Sequence, residues 1–160
     1  MIYLPSGALR QIASAAAAAY PQECCGLLIG RAPDGERGDV FVDEIMATAN
    51  TAPPPRTRAF EIDPAALFAA HRRLRESRWS IVGHYHSHPD GPAAPSPRDA
   101  ERVFDPRLIW VIAAVACGCA GTIGAFRWDA DARQFIAIAL AEMAAPPGLG
   151  AAATSALSAP

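Results

Sequence analysis

The segment Gly83-His84-Tyr85-His86-Ser87-His88-Pro89 places the tightest limits on how this chain can fold. Side chains alternate along a strand, so His86 and His88 point to one face of it. Ser96-Pro97-Arg98-Asp99 follows, with Asp99 eleven positions beyond His88. Two histidines and an aspartate leave one position of a tetrahedral zinc ion open, which distinguishes a catalytic site from a closed structural one. His-x-His alone is a weak signal, and it serves only if the strand ends at an open edge. Ser96 to Asp99 also reads as a plain helix start, with serine as N-cap, proline at the first helical position and an acid at the third. The two readings of Asp99 are compatible, because a helix beginning at Ser96 holds Asp99 in its first turn.

At 160 residues the chain makes one domain, large enough to bury a core without disulfide or metal staples. Hydrophobic residues account for 51%, but much of that is alanine, so the apolar area is smaller than the share suggests. The net charge of −2 gives no electrostatic reason to expect nucleic acid or a membrane surface as partner. The cysteines, Cys24-Cys25 and Cys117-Gly118-Cys119, are too closely spaced for a zinc ribbon and read as small buried strand residues. The N-terminus shows no basic region ahead of an apolar stretch, and Ala15 to Ala19 is too short to span a bilayer. A reducing cytoplasm is the expected location.

The spacing of Leu9, Ile12, Ala13 and Ala16 predicts a helix over Pro5–Ala19, stopped at Tyr20-Pro21. Strands are expected over Cys24–Gly30 and Val40–Ala47, separated by a turn cluster from Arg31 to Gly38. Asn50 to Arg56 holds three successive prolines and reads as an extended loop, followed by a short strand over Phe60–Ile62. Asp63-Pro64 starts a second helix reaching about Arg78 and burying Leu67, Phe68 and Leu74. A strand over Trp79–His88, a helix over Ser96–Phe104, and strands near Leu108–Ala116, Thr122–Trp128 and Gln134–Ala141 complete the pattern. Residues 143–160 are Ala/Pro/Gly-rich and are expected to form a disordered tail, leaving 1–142 as the domain. Helices among mostly β segments imply an α/β architecture with a mixed sheet.

Hydrolysis at such a site needs a general base outside the ligand set, to take a proton from water and pass it to the leaving amine. Glu23 stands where the first helix ends and an apolar strand begins, whereas Asp34, Glu36, Asp129 and Asp131 lie in turn-like, solvated settings. An acid at a loop end is more often simply exposed, so local context leaves its role open.

Pro21 to Gly30, with its glutamate, resembles the first long strand of the JAMM (MPN-plus) metallopeptidases. Gly83 to Pro89 with Ser96 and Asp99 resembles the signature of the same family: His-Ser-His-Pro, then serine, two residues and aspartate. The resemblance runs from about Met1 to Ala141. It implies a cytidine-deaminase-like MPN fold, with a mixed, mostly antiparallel sheet flanked by helices. It further implies that His86, His88 and Asp99 bind zinc, that Glu23 is the general base, and that Ser96 hydrogen-bonds the carbonyl oxygen as it becomes an oxyanion. The implied reaction is hydrolysis of a peptide or isopeptide bond after the C-terminal Gly-Gly of a ubiquitin-like protein. The chain is short, with no long insertions around the site, which resembles the compact bacterial members acting on sulfur-carrier proteins or their cysteine adducts.

His84 departs from the family, where a bulky aromatic is common; it shares a strand face with the ligands and is expected to be a polar residue satisfied by a neighbour, rather than a further ligand. The alternative function is a non-catalytic MPN-type protein-binding scaffold, but degenerate relatives lack ligands or the glutamate, and all are present here. A nucleobase deaminase would need His-x-Glu with Pro-Cys-x-x-Cys, and a zincin His-Glu-x-x-His; neither occurs.

Overall fold

The computed structural model describes residues 1–31 and 38–143; the centre of the Arg31–Gly38 turn cluster and the tail from 144 lie outside the described residues. Ile2 and Leu4 alternate with Tyr3 and are fully buried, so the chain begins with a strand, β1 (Ile2–Pro5), where a helix was expected to start at Pro5. Helix α1 (Ala8–Ala19) begins only after Gly7, whose φ of +80° is a left-handed conformation that glycine adopts without strain. Ile12 and Ala16 form its buried stripe.

Strands β2 (Cys25–Arg31) and β3 (Val40–Thr48) follow, then helix α2 (Pro64–Leu74), strand β4 (Ser80–Pro89), the single-turn helix α3 (Pro97–Ala100), and strands β5 (Ile109–Ala116), β6 (Cys119–Asp129), β7 (Gln134–Ile138) and β8 (Leu140–Met143). Asp63 caps α2 as expected, its carboxylate accepting from the Ala65 N–H at 2.9 Å. The helix stops at Leu74 rather than Arg78, because Ser77 turns the chain back onto the Leu74 carbonyl. Phe68 on its outer side is 65% exposed, contrary to the expected burial. The expected strand over 60–62 is reduced to one bridge between Asn50 and Ile62. Helix α3 stops at Ala100 instead of reaching Phe104, which is exposed. Of the cysteines, Cys25 is buried, but Cys117 and Cys119 are exposed, since Cys117 and Gly118 (φ +50° and +76°) form the tight turn joining β5 to β6.

The strands form one eight-stranded sheet in the order β7-β6-β5-β4-β2-β3-β1-β8. Of its seven pairings, β2·β3, β2·β4, β5·β6 and β6·β7 are antiparallel and the other three parallel, so the sheet is mixed and mostly antiparallel. The expected single strand over Gln134–Ala141 is two strands at opposite edges, separated only by Ala139, whose carbonyl accepts from the Ile2 N–H at 2.9 Å. A chain can pass from one edge to the other in so short a step only if the sheet curls until its edges meet. The main core lies where α1 covers one face, with Ile12 and Ala16 against Leu28, Val42, Tyr85, Val111, Ala113 and Val115. His84, His86 and Trp110 face the other side, under the 50–62 loop. Among the described residues no helix is long and apolar enough to cross a membrane.

Candidate metal centre

Strand β4 is not at a sheet edge; it pairs with β2 on one side and β5 on the other. The site lies instead where β4 ends: His86 is paired with both Cys25 of β2 and Ile112 of β5, and His88, beyond the β2 ladder, with Ala114 of β5. His88 is steadied further by an Nδ1 contact to the Pro92 carbonyl at 3.0 Å, in the chain's turn beyond the strand. The His86 ring lies stacked on Phe60, with centroids 4.3 Å apart and planes 16° apart.

Helix α3 brings Asp99 to this strand end. Its Oδ1 lies 3.5 Å from His86 Nε2 and its Oδ2 lies 3.3 Å from His88 Nε2. The two Nε2 atoms face each other at 2.9 Å. Asp99 is also the capping residue that the sequence suggested: Oδ2 accepts from the Ser96 N–H (2.7 Å) and from the Ser96 hydroxyl (2.6 Å), and Ser96 Oγ in turn accepts from the Asp99 N–H (3.3 Å). The helix-start reading of Asp99 therefore holds, and the same cap sets its carboxylate beside both histidines.

The donor atoms of His86, His88 and Asp99 lie within 4.8 Å of one another; His86 and Asp99 are buried and His88 is partly buried. Two imidazole nitrogens turned toward each other beside a carboxylate suit a divalent cation, for which imidazole and carboxylate are common ligands. At His86 the protonation state agrees. Burial lowers His86 despite its contact with Asp99, favouring the neutral ring that a metal needs. At His88, burial works in the same direction but is outweighed by the attraction of Asp99, and the ring's affinity for a proton is raised. Burial would raise Asp99, but hydrogen bonding from His86, His88 and Ser96 holds it far below the usual carboxylate range.

Glu23 lies just before β2 and is 6% exposed. Burial pushes its carboxyl up to about 7, against the pull of His88, Arg98 and Arg102 and with a further upward push from Asp99. Cys25 pairs with His86 and the Cys24 carbonyl accepts from the Ser87 N–H, so Glu23 lies level with His88 although it is more than sixty residues away in sequence. Ser87, between the two histidines, points to the opposite face, where its Oγ accepts from the Cys24 N–H at 2.9 Å and steadies the chain next to Glu23. Sequence reasoning gave Ser87, Asn50 and Phe60 no role; only Ser87 carried a signal, its place inside the motif.

His84 does not join the His86, His88 and Asp99 cluster. It is buried against Trp110 (centroids 4.2 Å apart) and Phe60 (5.5 Å), its Nδ1 has no hydrogen-bond partner among the described residues, and burial drives its pKa down to about 3. The expected polar neighbour is absent there because aromatic rings fill the space. His84 is a neutral aromatic packing element.

The profile of the prokaryotic homologues of the JAB domain matches residues 5–146. A stretch of 99 residues is 36% identical to a protein of Thermus thermophilus named "Probable TtuB-protein conjugate cleaving protease", covering 62% of this chain and 61% of that one, less than two thirds of its length. Over 120 residues the chain is 30% identical to the desampylase of Haloferax volcanii, covering 75% of this chain and 79% of the relative. Among solved structures, a protein of Desulfitobacterium hafniense superposes with a TM-score of 0.74 at 28% identity, over 90% of this chain and 94% of that one. A protein of Salinibacter ruber gives 0.67 at 33% identity, over 88% and 91%. The fold is also that of a JAB1/MPN domain protein of Archaeoglobus fulgidus, at a TM-score of 0.55 and 19% identity over 89% and 98%.

Proposed function

Because this chain belongs to the prokaryotic homologues of the JAB domain, we propose that it is a zinc-dependent metallopeptidase cutting after the C-terminal Gly-Gly of a ubiquitin-like protein. The bond is a peptide or isopeptide bond, and the substrate class is a sulfur-carrier protein or its cysteine adduct. The observation that carries this reading is the convergence of His86, His88 and Asp99 beside a buried glutamate outside the ligand set. The names of the Thermus and Haloferax relatives, a conjugate-cleaving protease and a desampylase, support the substrate class. A scaffold without activity would have no need to keep a carboxylate buried at Glu23.

His86, His88 and Asp99 would hold the zinc ion. When bound there, zinc makes water acidic near neutral pH and polarises a carbonyl oxygen. Glu23 takes the proton from the attacking water and returns it to the departing amine, a task suited to a carboxylate whose affinity for protons has been raised toward neutrality. In the structure the Ser96 hydroxyl donates a hydrogen bond to Asp99 Oδ2. Turning that O–H toward the substrate carbonyl supplies a donor where negative charge develops, an interaction worth about 3 kcal/mol in comparable sites.

The test is to supply zinc and measure cleavage of a carrier–cysteine adduct, a linear fusion and a ubiquitin-like isopeptide conjugate. About one zinc per chain and cleavage after Gly-Gly are expected. Glu23→Gln should keep the zinc and lose turnover by about 10²–10⁴-fold. Cleavage of all three at the wild-type rate by Glu23→Gln, or activity without metal, would overturn the proposal.

A further inference from the structure

Asn50 uses every hydrogen-bonding position of its side chain. The amide has two N–H donors and an oxygen with two lone pairs. Nδ2 donates to the carbonyl oxygens of Glu23 (2.9 Å) and Ala59 (3.0 Å). Oδ1 accepts from the backbone N–H groups of Ala52 (3.0 Å) and Glu61 (3.1 Å). Fully engaged with backbone in this way, the side chain has nothing left to offer a substrate. What it does is join stretches of chain.

Glu23 is the stretch that matters. It precedes β2, so the sheet ladder does not hold it. On one side the chain is braced by Ser87, which accepts from the Cys24 N–H and donates its own N–H to the Cys24 carbonyl at 3.1 Å. On the other side stands the 51–61 loop, whose Arg56 carbonyl accepts from the Glu23 N–H at 2.8 Å. That brace is only as firm as the loop. Asn50 closes the loop on itself through Oδ1 and ties it to Glu23 through Nδ2. Arg98 and Arg102 secure the same loop from the α3 side, donating to the carbonyls of Arg58 (3.0 Å) and Phe60 (2.8 Å). One hydrogen-bonded network thus connects Glu23 with the segment that carries Asp99.

We infer that Asn50 is a positioning residue for the proposed hydrolysis, fixing Glu23 relative to the metal ligands by fastening its carbonyl to the 51–61 loop. The inference rests on the reading of Glu23 as the base. A base must stay within hydrogen-bond reach of the proton it moves, and a displacement of about 1 Å costs on the order of 100-fold in rate.

Asn50→Asp tests this directly. Ionised aspartate keeps the shape and the acceptor contacts to Ala52 and Glu61 but has no donor for Glu23 or Ala59. Expected in this variant are a kcat lower by about 10–100-fold, a KM close to wild type and an unchanged zinc stoichiometry. In the metal-free protein, the Glu23 amide should exchange with solvent faster while the β4 amides keep their protection. Wild-type kcat overturns the inference, and so does a loss of kcat that merely follows loss of zinc or of global stability. Asn50→Ala should behave similarly; should it fail to fold, Asn50→Asp decides. If the wild-type protein cleaves no conjugate, the function proposal fails, and amide exchange still decides this one: unchanged protection at Glu23 overturns it.

Discussion

Burial raises Glu23 from 4.5 to about 7, so between those pH values the folded, metal-free protein keeps a proton that the unfolded chain has already released. Stability therefore falls as pH rises through that window and stays reduced above it. Glutamine at this position carries no such cost. Metal-free Glu23→Gln should match wild type near pH 4 and exceed it by about 2 kcal/mol at pH 8, once solvent screening is allowed for. Thermal melts across pH check this, and equal melting curves at pH 8 would show that Glu23 is better solvated than its burial indicates. Ser96 allows a sharper separation of roles. As a cap alone, Ser96→Ala would cost about 1 kcal/mol and leave turnover intact. As the proposed oxyanion donor, it should lower kcat by about 10²-fold with zinc retained. Steady-state kinetics beside a melting curve distinguishes the two.

Strand β4 couples stability to the site, because the backbone that pairs with both neighbours also carries the histidines. Gly83 pairs with Ile109 of β5, and a Cβ there would collide with the Ile109 carbonyl. That contact is backbone and cannot swing aside. Gly83→Ala should cost about 1–3 kcal/mol and weaken metal binding together with stability, since any shift of β4 relative to β5 moves His86 and His88. Urea unfolding and a zinc titration on the same variant test the linkage. Unchanged metal affinity in a destabilised protein would show that the strand end moves independently of its middle. At this scale the sequence was legible in its strongly patterned parts. The Asp63 and Ser96 caps and the apolar strands β2 and β5 lie where spacing put them. Helix ends were less so: α2 stops at Leu74, where Ser77 turns the chain back, and α3 stops at Ala100, leaving Phe104 exposed.

Closure of the curled sheet depends on its least conspicuous strands. β1 is four residues long, yet it sits between β3 and β8 and buries Ile2 and Leu4 completely. Leu4→Ala should destabilise by about 2–5 kcal/mol, seen as a lower urea midpoint with an unchanged slope. A change well below 1 kcal/mol would mean that the edges meet without help from β1. The sequence by itself determined the chemistry available here: which side chains are imidazole or carboxylate, that His86 and His88 share a strand face, that a helix starting at Ser96 presents Asp99, and that the whole resembles one metallopeptidase family. Those facts follow from local spacing, which a strand or a helix turn fixes regardless of what surrounds it. Only the tertiary structure decided that β7 and β8 part to opposite edges, that His84 is walled in by aromatic rings, and that Ser87 and Asn50 hold the chain at Glu23 from two sides. Each of these depends on contacts between residues far apart in the chain, and no local period encodes which distant surface a side chain or a strand edge will meet.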